Sequence, residues 1–317
     1  MTDPTARPLR LGLVLWAQGA SWPELRQTGL LADRLGYDSL WTWDHLEPVF
    51  GRRDGPILEG PSLLAAWAVL TQRVRLGLFV AGNTFRNPAL LAKSTVTLDH
   101  LSGGRAILGI GGAWLEREHT AAGVPFGSGF GERLRWLDES VAAIRAVLDG
   151  EAVTSEPGAH YAFQGLLQRP HPVQTRLPIM VGGSGERRTL RTVARYADLW
   201  NAFGDPATLA EKDAVLRRHC AEVGRDPDAI ERTVGVMLTI RDTEADARRV
   251  WAERLAGQGA PYEEGPEVWL GSPRQIADRV RAMRAIGFHT IIAEVPPPYD
   301  RETIERFRLE VPRLVEA

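Results

Sequence analysis

Short apolar segments alternate with segments of helical periodicity along almost the whole chain of 317 residues. The helical pattern is clearest over 131–149, where apolar residues recur every three or four positions from Leu134 to Leu148. Eight apolar segments are predicted to be strands, and a helix-like segment follows each of them. The predicted strands are 9–15, 37–43, 74–80, 105–110, 179–181, 197–201, 233–240 and 288–295.

Eight consecutive strand–helix units are typical of a (β/α)8 barrel, the TIM barrel, in which parallel strands close into a cylinder inside a ring of helices. A doubly wound open sheet is the competing architecture. No shift in composition and no linker divides the sequence. We therefore predict one α/β domain over 1–317, folded as a single (β/α)8 barrel with loop insertions.

One connection stands out by its length. Residues 151–178 contain several prolines and glycines, among them Pro157, Gly158 and Pro170. A loop of this length is unusual in a compact domain, and long loops often serve as lids or binding loops. We predict that 151–178 is an insertion that covers the mouth of the barrel.

Composition excludes several functional classes. Hydrophobic residues make up 44% of the chain and charged residues 25%, as in ordinary globular proteins, and the formal net charge is −2. No overall positive charge is present to attract nucleic acid. Cys220 is the single cysteine, which excludes an internal disulfide and a cysteine-rich metal site. No two histidines have HExxH-like spacing, so no metal site is expected.

The sequence also carries no sign of membrane or export targeting. The first apolar run is too short for a signal peptide, and no later run reaches the roughly 18 apolar residues of a membrane span. We therefore expect a cytoplasmic protein that does not contact a membrane.

A glycine turn follows the fifth predicted strand. The apolar residues 179–181 lead into Gly182, Gly183, Ser184 and Gly185, and a basic segment of helical periodicity comes next. Free backbone N–H groups and the positive end of a helix dipole attract anions at such a turn. Two readings stay open at this point: a phosphate-binding turn, or a turn that needs glycine for steric reasons alone.

In a barrel of this class the active site lies at the carboxyl ends of the strands. Asp44 and His45 follow the second predicted strand, and both titrate. His45 could exchange a proton near neutral pH, or it could be a structural histidine held by the local backbone. After the fourth strand comes 109–114, GIGGAW, whose Gly111 and Gly112 leave room for a flat ring or form a tight turn.

Other predicted strand ends carry further candidates. Trp16 follows the first strand and Asn201 ends the sixth. Thr84 and Arg86 follow the third strand, where Arg86 could pair with a carboxylate or cap the loop. Glu116 and Glu118 come shortly after the fourth strand, and a solvated helix face explains either of them.

Taken in their order along the chain, these motifs resemble the luciferase-like monooxygenase superfamily of flavin- and deazaflavin-dependent enzymes. The resemblance lies in 39–46, 76–114, 123–126 and 180–201, which run from the second predicted strand to the sixth. Residues 271–280 and the closing strand also fit. Within the superfamily the pattern is most similar to the branch that uses coenzyme F420, a deazaflavin.

The resemblance implies an oxidoreductase that transfers a hydride between coenzyme F420 and a small organic substrate. Asp44 and His45 match the pair that meets the edge and the reactive face of the cofactor ring, and His45 would handle the proton. Phe79 and Val80 match a bulge with a non-prolyl cis peptide bond behind the ring. Thr84 matches a residue near the ring.

The resemblance also implies the phosphate contact and the partners. Residues 182–185 match the phosphate turn of the family. The helix over 88–99 is similar to one that the family uses in its dimer interface, so a homodimer is implied. A separate reductase would recycle the cofactor.

One position departs from the family pattern. Trp114 stands where the sugar-phosphate dehydrogenases of the superfamily have a glutamate proton donor. Since tryptophan cannot supply a proton at neutral pH, oxidation of a sugar phosphate is in doubt. Trp16, Trp43, Trp114 and Asn201 are instead predicted to line an apolar or aromatic substrate pocket.

Two alternatives remain open. An FMN-dependent monooxygenase would use the same barrel and phosphate turn with FMNH2 and O2, supplied by a separate reductase. The acidic tail of coenzyme F420 distinguishes the two cofactors, and Arg52, Arg53, Arg187 and Arg188 could receive it or be ordinary surface residues. A barrel that binds a flavin without catalysis is the second alternative, and the intact pair of Asp44 and His45 opposes it.

Overall fold

The computed structural model describes residues 7–259 and 265–317. Its strands are all paired in parallel, in the order β3-β2-β1-β10-β8-β7-β6-β5-β4, with β9 beside β8. The strands are β1 (Arg10–Leu15), β2 (Ser39–Thr42), β3 (Arg75–Leu78), β4 (Ala81–Gly82), β5 (Leu108–Gly111), β6 (Ile179–Gly182), β7 (Leu199–Ala202), β8 (Glu231–Ile240), β9 (Val268–Gly271) and β10 (Phe288–Val295).

The sheet closes through the third predicted strand. Within the predicted range 74–80, β3 ends before the bulge at Phe79 and Val80, and β4 follows the bulge, just beyond the predicted end. β3 pairs with β2 and β4 pairs with β5, so the two ends of the strand order belong to one segment of chain. A bridge between Leu76 and Ala106 adds to the closure. The predicted (β/α)8 barrel is therefore confirmed.

Eleven α-helices occur in the described part of the chain and flank the barrel. Local sequence signals set several of their ends. Ser21 and Glu24 form a capping box, and Gly36 ends the same helix with a φ of 80°. The helices are α1 (Trp22–Leu35), α2 (Gly60–Leu70), α3 (Pro88–Ser102), α4 (Glu116–Ala122), α5 (Phe130–Leu148), α6 (Thr189–Tyr196), α7 (Pro206–Glu222), α8 (Glu244–Gly257), α9 (Pro273–Ala285), α10 (Arg301–Leu309) and α11 (Val311–Glu316).

Strand periodicity divides the buried side chains into two clusters. In β1, Leu11, Leu13 and Leu15 belong to the cluster shared with the helices, whereas Val14 belongs to the barrel interior. Successive side chains of a strand point to opposite faces, which is why one strand supplies both. The interior cluster fills the barrel below its carboxyl end, so the open space of the barrel lies at that end.

Residues 151–178 contain no helix or strand. A bridge joins Val153 to Leu166, and Tyr161 shares hydrogen bonds of 3.3 Å with the side-chain nitrogen and the carbonyl oxygen of Asn83. The imidazole of His160 stacks on Trp136 of α5, with ring centroids 3.8 Å apart. The segment therefore lies against α5 and the loop before α3, and its role as a lid stays a prediction.

Candidate active site

A cavity of about 440 Å³ lies at the carboxyl ends of the strands. It brings together most of the residues that the sequence singled out, which come from segments far apart along the chain. The predicted residues that line it are Trp43, Asp44, His45, Phe79, Val80, Gly111, Gly112, Trp114, Gly182, Gly183 and Asn201. No residue of the predicted lid lines this cavity.

His45 is held by a buried glutamate. Its Nδ1 lies 2.9 Å from Oε1 of Glu118, whose side chain is 1% exposed. Burial raises the pKa of Glu118, but the hydrogen bond and charge of His45 and the amides of Leu46 and Glu47 outweigh it and lower that pKa overall. The ionised carboxylate accepts the Nδ1 proton, which leaves Nε2 of His45 as the exchangeable nitrogen.

Glu118 is thus a functional candidate that the sequence interpretation left open. A solvated helix face explains Glu116, which is exposed, but not Glu118, which is buried. Both glutamates lie in the first turn of α4, where a helix dipole favours negative charge. Only the closure of the barrel, which brings β2 near the start of α4, shows which of them reaches His45.

Asp44 anchors the broken third strand. Nη1 of Arg86 donates to Oδ1 and Oδ2 of Asp44 at 2.9 and 2.7 Å, and the amide of Gly82 donates to Oδ2 at 3.0 Å. Arg86 also pairs with Glu59 at 3.1 Å. Of the two alternatives considered for Arg86, the structure therefore shows the pairing with a carboxylate. Asp44 lines the cavity, and the contacts that occupy its oxygens hold the wall of that cavity in place.

The bulge at Phe79 and Val80 forms one side of the cavity, and the peptide bond between these residues is cis, as the resemblance implies. Val80 packs against the neighbouring strand ends. A Cβ atom on Gly111 would lie 2.8 Å from Cγ2 of Val80, and one on Gly182 would lie 3.1 Å from the same atom. A side chain at Gly111 would therefore displace Val80, and one at Gly182 would press against it.

The glycine turn after β6 is only partly free to bind an anion. The amide of Gly183 donates to the carbonyl oxygen of Asn201 at 2.9 Å, so this N–H group is already used. Gly183 has a φ of 123°, a conformation that favours glycine. Within the described residues, the amides of Ser184 and Gly185 have no hydrogen-bond partner. No side chain caps α6, and the amide of Leu190 in its first turn already donates to the carbonyl oxygen of Gly185 at 3.0 Å.

Four predicted residues lie outside the cavity wall. Ser184 and Gly185 continue the turn away from it. The hydroxyl of Thr84 lies 2.6 Å from Nε2 of His119, whose Nδ1 lies 2.8 Å from the carbonyl oxygen of Leu115. Trp16 is fully buried behind the wall. Contact of these residues with cofactor or substrate remains a prediction.

Glu294 is a second functional candidate, and the sequence interpretation missed it. It lies near the carboxyl end of β10, lines the cavity and is 4% exposed. The indole N–H groups of Trp16 and Trp43 both donate to its Oε2, at 2.9 and 3.0 Å. A signal was present, because a carboxylate near the end of the apolar segment 288–295 is out of place in a buried strand.

Glu294 is buried with no cation beside it, and it is therefore a weaker acid than an ordinary glutamate. Desolvation raises its pKa to about 7, against the opposing effect of the two indole donors, and the charge of Glu267 raises it slightly further. Near neutral pH the carboxyl group is therefore shared between its protonated and ionised forms. Perturbed acids of this kind in a cavity are typical of functional sites.

The rest of the wall is aromatic. The rings of Trp43 and Trp114 approach His45 edge-on, with centroids 5.9 and 5.8 Å away. Trp114 is 62% exposed and stands at the rim, as do Phe130 and Phe203. No lysine or arginine lines the cavity within the described part of the chain. Aromatic side chains thus form much of the cavity wall, with Trp16 as a buried layer behind it, and their contact with a substrate stays a prediction.

Comparison with known proteins identifies the family. The model of the luciferase-like monooxygenase family matches residues 9–267. The chain belongs to this family. The F420-dependent glucose-6-phosphate dehydrogenase of Kineococcus radiotolerans is 30% identical, and the match covers 98% of both chains.

Solved structures agree with the fold. The coenzyme F420 dependent tetrahydromethanopterin reductase from Methanopyrus kandleri superposes with a TM-score of 0.80 at 18% identity, covering 97% of this chain and 100% of the other. The oxygenating constituent of 3,6-diketocamphane monooxygenase from Pseudomonas putida, in complex with FMN, gives 0.74 at 18% identity, covering 97% and 99%. The barrel is thus similar to barrels of enzymes with either cofactor.

Residues 7–259 and 265–317 contain no group of three or more His, Cys, Asp or Glu side chains arranged to hold a metal ion. Among the helices of these residues, none has the length and apolar character needed to cross a membrane.

Proposed function

We propose that this protein is a coenzyme F420-dependent oxidoreductase that transfers a hydride between the deazaflavin and an apolar organic substrate. One observation carries the proposal: a single cavity joins the His45–Glu118 pair to the glycine turn at Gly182 and Gly183. Relatives across the full length of the chain are named F420-dependent, as in Kineococcus radiotolerans and Microbacterium testaceum.

The residues present fit such a cofactor. The free amides of Ser184 and Gly185, with the uncapped start of α6, would hold its phosphate. Gly111 and Gly182 keep the wall beside Val80 free of side chains other than that of Val80, so a flat ring can lie there. When bound, the reduced deazaflavin supplies a two-electron hydride.

His45 is the proton-handling group of the proposal. Its Nδ1 proton is held by the ionised Glu118, which fixes the orientation of the ring. Within the described residues, Nε2 of His45 makes no hydrogen bond, and the ring lines the cavity. Nε2 can therefore take a proton from a group in the cavity, or return one.

The wall favours an apolar substrate over a sugar phosphate. Its charged groups are the acids Asp44, Glu118 and Glu294, and the described lining contains no lysine or arginine to pair with a phosphate dianion. Trp114 also replaces the acid that a sugar-phosphate dehydrogenase of the family would have. Although relatives are named glucose-6-phosphate dehydrogenases, this chain is expected to act on a different, less polar molecule.

An FMN-dependent monooxygenase is the second candidate, because a similar barrel binds FMN. Arg187 and Arg188 favour the deazaflavin. Both are exposed and lie directly after the glycine turn, where the acidic tail beyond the phosphate would emerge. Arg52 is less suited, since Asp54 already pairs with it at 2.5 Å.

Titration of the purified protein with coenzyme F420 and with FMN, followed by cofactor fluorescence, tests the proposal. We expect tighter binding of F420, and a Gly183→Val variant should lose F420 binding by roughly tenfold or more because valine strains a φ of 123°. Circular dichroism and thermal melting control for folding. Tighter binding of FMN, or unchanged F420 affinity in a folded Gly183→Val protein, contradicts the proposal.

A homodimer and a cytoplasmic location complete the proposal. Leu90 and Leu101 of α3 and Val69 of α2 are exposed apolar side chains on neighbouring helices, which supports burial of this face by a second copy. A separate enzyme would re-reduce or re-oxidise the cofactor. Light scattering during size-exclusion chromatography measures the mass, and a monomer at micromolar concentration contradicts the dimer.

A further inference from the structure

Glu294 lies in the wall of the cavity, yet the proposed function gives it no role. Its two hydrogen bonds, from the indoles of Trp16 and Trp43, both reach Oε2. Within the described part of the chain, Oε1 receives no hydrogen bond. The carboxyl group is thus held firmly by one oxygen and left open at the other.

This arrangement decides where a proton would sit. Two N–H donors at Oε2 of Glu294 occupy the directions in which that oxygen could carry its own hydrogen. A protonated Glu294 therefore carries its hydrogen on Oε1. In that state Oε1 is a hydrogen-bond donor whose residue lines a cavity with apolar walls.

The surroundings of Glu294 favour the protonated state. Its strand neighbours are Val14 on β1 and Met237 on β8, which carry no charge. The charged or titratable groups that face it are Glu267, whose charge opposes ionisation, and His45 on the far side of the Trp43 ring. Burial is the main cause that raises the pKa of Glu294 to about 7, and the charge of Glu267 adds to it.

We propose that Glu294 anchors the substrate, with its neutral carboxyl group donating a hydrogen bond from Oε1 to the carbonyl oxygen of an apolar ketone or aldehyde. The assignment rests on the proposed function, because it takes this cavity to be the place of hydride transfer. A carboxylic acid kept neutral by an apolar site is an effective donor to such an oxygen.

A carbonyl compound fits the cavity better than other ligands of a carboxyl group. An anion would meet Asp44, Glu118 and Glu294 without a lysine or arginine in the described lining. A polyhydroxylated molecule would leave its hydroxyl groups unpaired against Phe79 and Phe203. A cationic amine remains as the rival, and it would require Glu294 to be ionised.

The vibrational spectrum of a bound ketone tests the assignment. Acetophenone labelled at its carbonyl carbon is added to the full-length protein, with and without coenzyme F420, and its C=O stretch is recorded by infrared difference spectroscopy. A donated hydrogen bond lowers this frequency. We expect a lowered frequency at pH 5.5 that reverts at pH 8.5, with a midpoint near the pKa of about 7.

Two variants separate Glu294 from other groups. Glu294→Gln retains an oxygen that can accept both indole N–H groups but has no titratable proton, so the frequency should no longer depend on pH. Glu116→Gln is the matched control, since Glu116 is exposed and does not line the cavity. This control should behave as the wild type.

A third variant keeps the assignment testable if Glu294→Gln does not fold. Trp16→Phe removes one of the two donors that favour the ionised form of Glu294. The midpoint of the pH-dependent frequency change should then move to higher pH. A midpoint that does not move, in a folded Trp16→Phe protein, overturns the assignment.

Other results also decide whether Glu294 binds the substrate as proposed. Acetophenone that fails to bind at pH 5.5, or a frequency that is equal in the wild type and Glu294→Gln at both pH values, overturns the assignment. Benzylamine that binds more tightly at pH 8.5 than acetophenone does at pH 5.5 overturns it in favour of a cationic substrate. Loss of F420 binding with a lowered ketone frequency contradicts the proposed function alone, whereas F420 binding without that frequency change contradicts only the role of Glu294.

Discussion

Two buried glutamates in the wall of the same cavity have pKa values shifted in opposite directions. Glu118, in the helix after β5, faces His45 and two backbone amides of the chain after β2, and its pKa is lowered. At the end of β10, Glu294 faces two indole N–H groups and no cation, and its pKa is raised to about 7. Burial raises the pKa of both carboxyl groups, but only Glu118 has partners that outweigh this effect. For these two glutamates, the donors beside the carboxyl group set the direction of the shift in pKa.

Asp44 precedes His45 in sequence and has a cationic partner in Arg86, although burial still raises the pKa of Asp44 above its usual range. Both of its oxygens accept from Arg86, and one also accepts from the amide of Gly82. The chain after β2 and β5 thus holds two carboxylates with charged partners, Asp44 and Glu118, and the end of β10 holds an acid without one. This division would let one site keep an orienting carboxylate beside His45 and a proton-bearing acid beside the substrate.

The largest expected effect on stability comes from removing Arg86, the cation that pairs with Asp44. Arg86→Gln leaves the carboxylate of Asp44 buried without its partner, so the free energy of unfolding at pH 7 should fall by about 3–5 kcal/mol. Since protonation of Asp44 relieves the penalty, the loss should shrink on acidification. Urea denaturation at pH 7 and pH 5 measures both effects.

A matched substitution controls for the loss of an arginine. Arg52→Gln removes an arginine whose pair with Asp54 is fully exposed, and it should leave stability unchanged. Equal effects of Arg86→Gln and Arg52→Gln would show that the buried pair does not support the wall.

The second expected effect is a dependence of stability on pH that comes from Glu294, the acid without a charged partner. The folded pKa of Glu294 is raised from 4.5 to about 7, so its contribution to stability is fully present below pH 4.5 and is lost as the pH rises through 7. Relative to Glu294→Gln, the wild type should lose about 3 kcal/mol of unfolding free energy between pH 4.5 and pH 8. Urea denaturation of both proteins over this range measures the difference, and a constant difference would refute the raised pKa.

The third effect is smaller and opposite in sign. Because the pKa of Glu118 is lowered in the folded state, its contribution to stability is present above pH 4.5 and is lost as the pH falls through the folded value. Glu118→Gln should cost about 1–2 kcal/mol at pH 7 and less at low pH. Urea denaturation gives the stability, and NMR of the His45 ring protons reports the loss of its fixed orientation.

A shared pH trend would break the comparison. For each glutamate, the loss of unfolding free energy on substitution by glutamine is followed as a function of pH. If this loss changes with pH in the same direction at Glu118 and at Glu294, the two glutamates do not differ as proposed. Opposite slopes, with Glu116→Gln showing none, would support separate roles for the ionised pair and the neutral acid.

Much of the fold followed from local pattern. The eight apolar segments predicted as strands appear as β1, β2, β3, β5, β6, β7, β8 and β10, because each is buried on both faces in a parallel barrel. The short strand β4 lies just beyond the predicted end of the third segment. The helix predicted over 131–149 appears as α5, since its apolar stripe packs inward. β9 was not predicted, because its four residues carry little periodicity and gain their register from β8.

The sequence by itself determined the barrel, the glycine turn and the placement of His45 at a strand end. These depend on spacing within one segment, which periodicity and glycine reveal. Only the tertiary structure decided that Glu118 rather than Glu116 holds His45, that the amide of Gly183 is already used by Asn201, and that Glu294 meets Trp16 and Trp43. Such contacts join residues up to 278 positions apart, and barrel closure alone makes them neighbours.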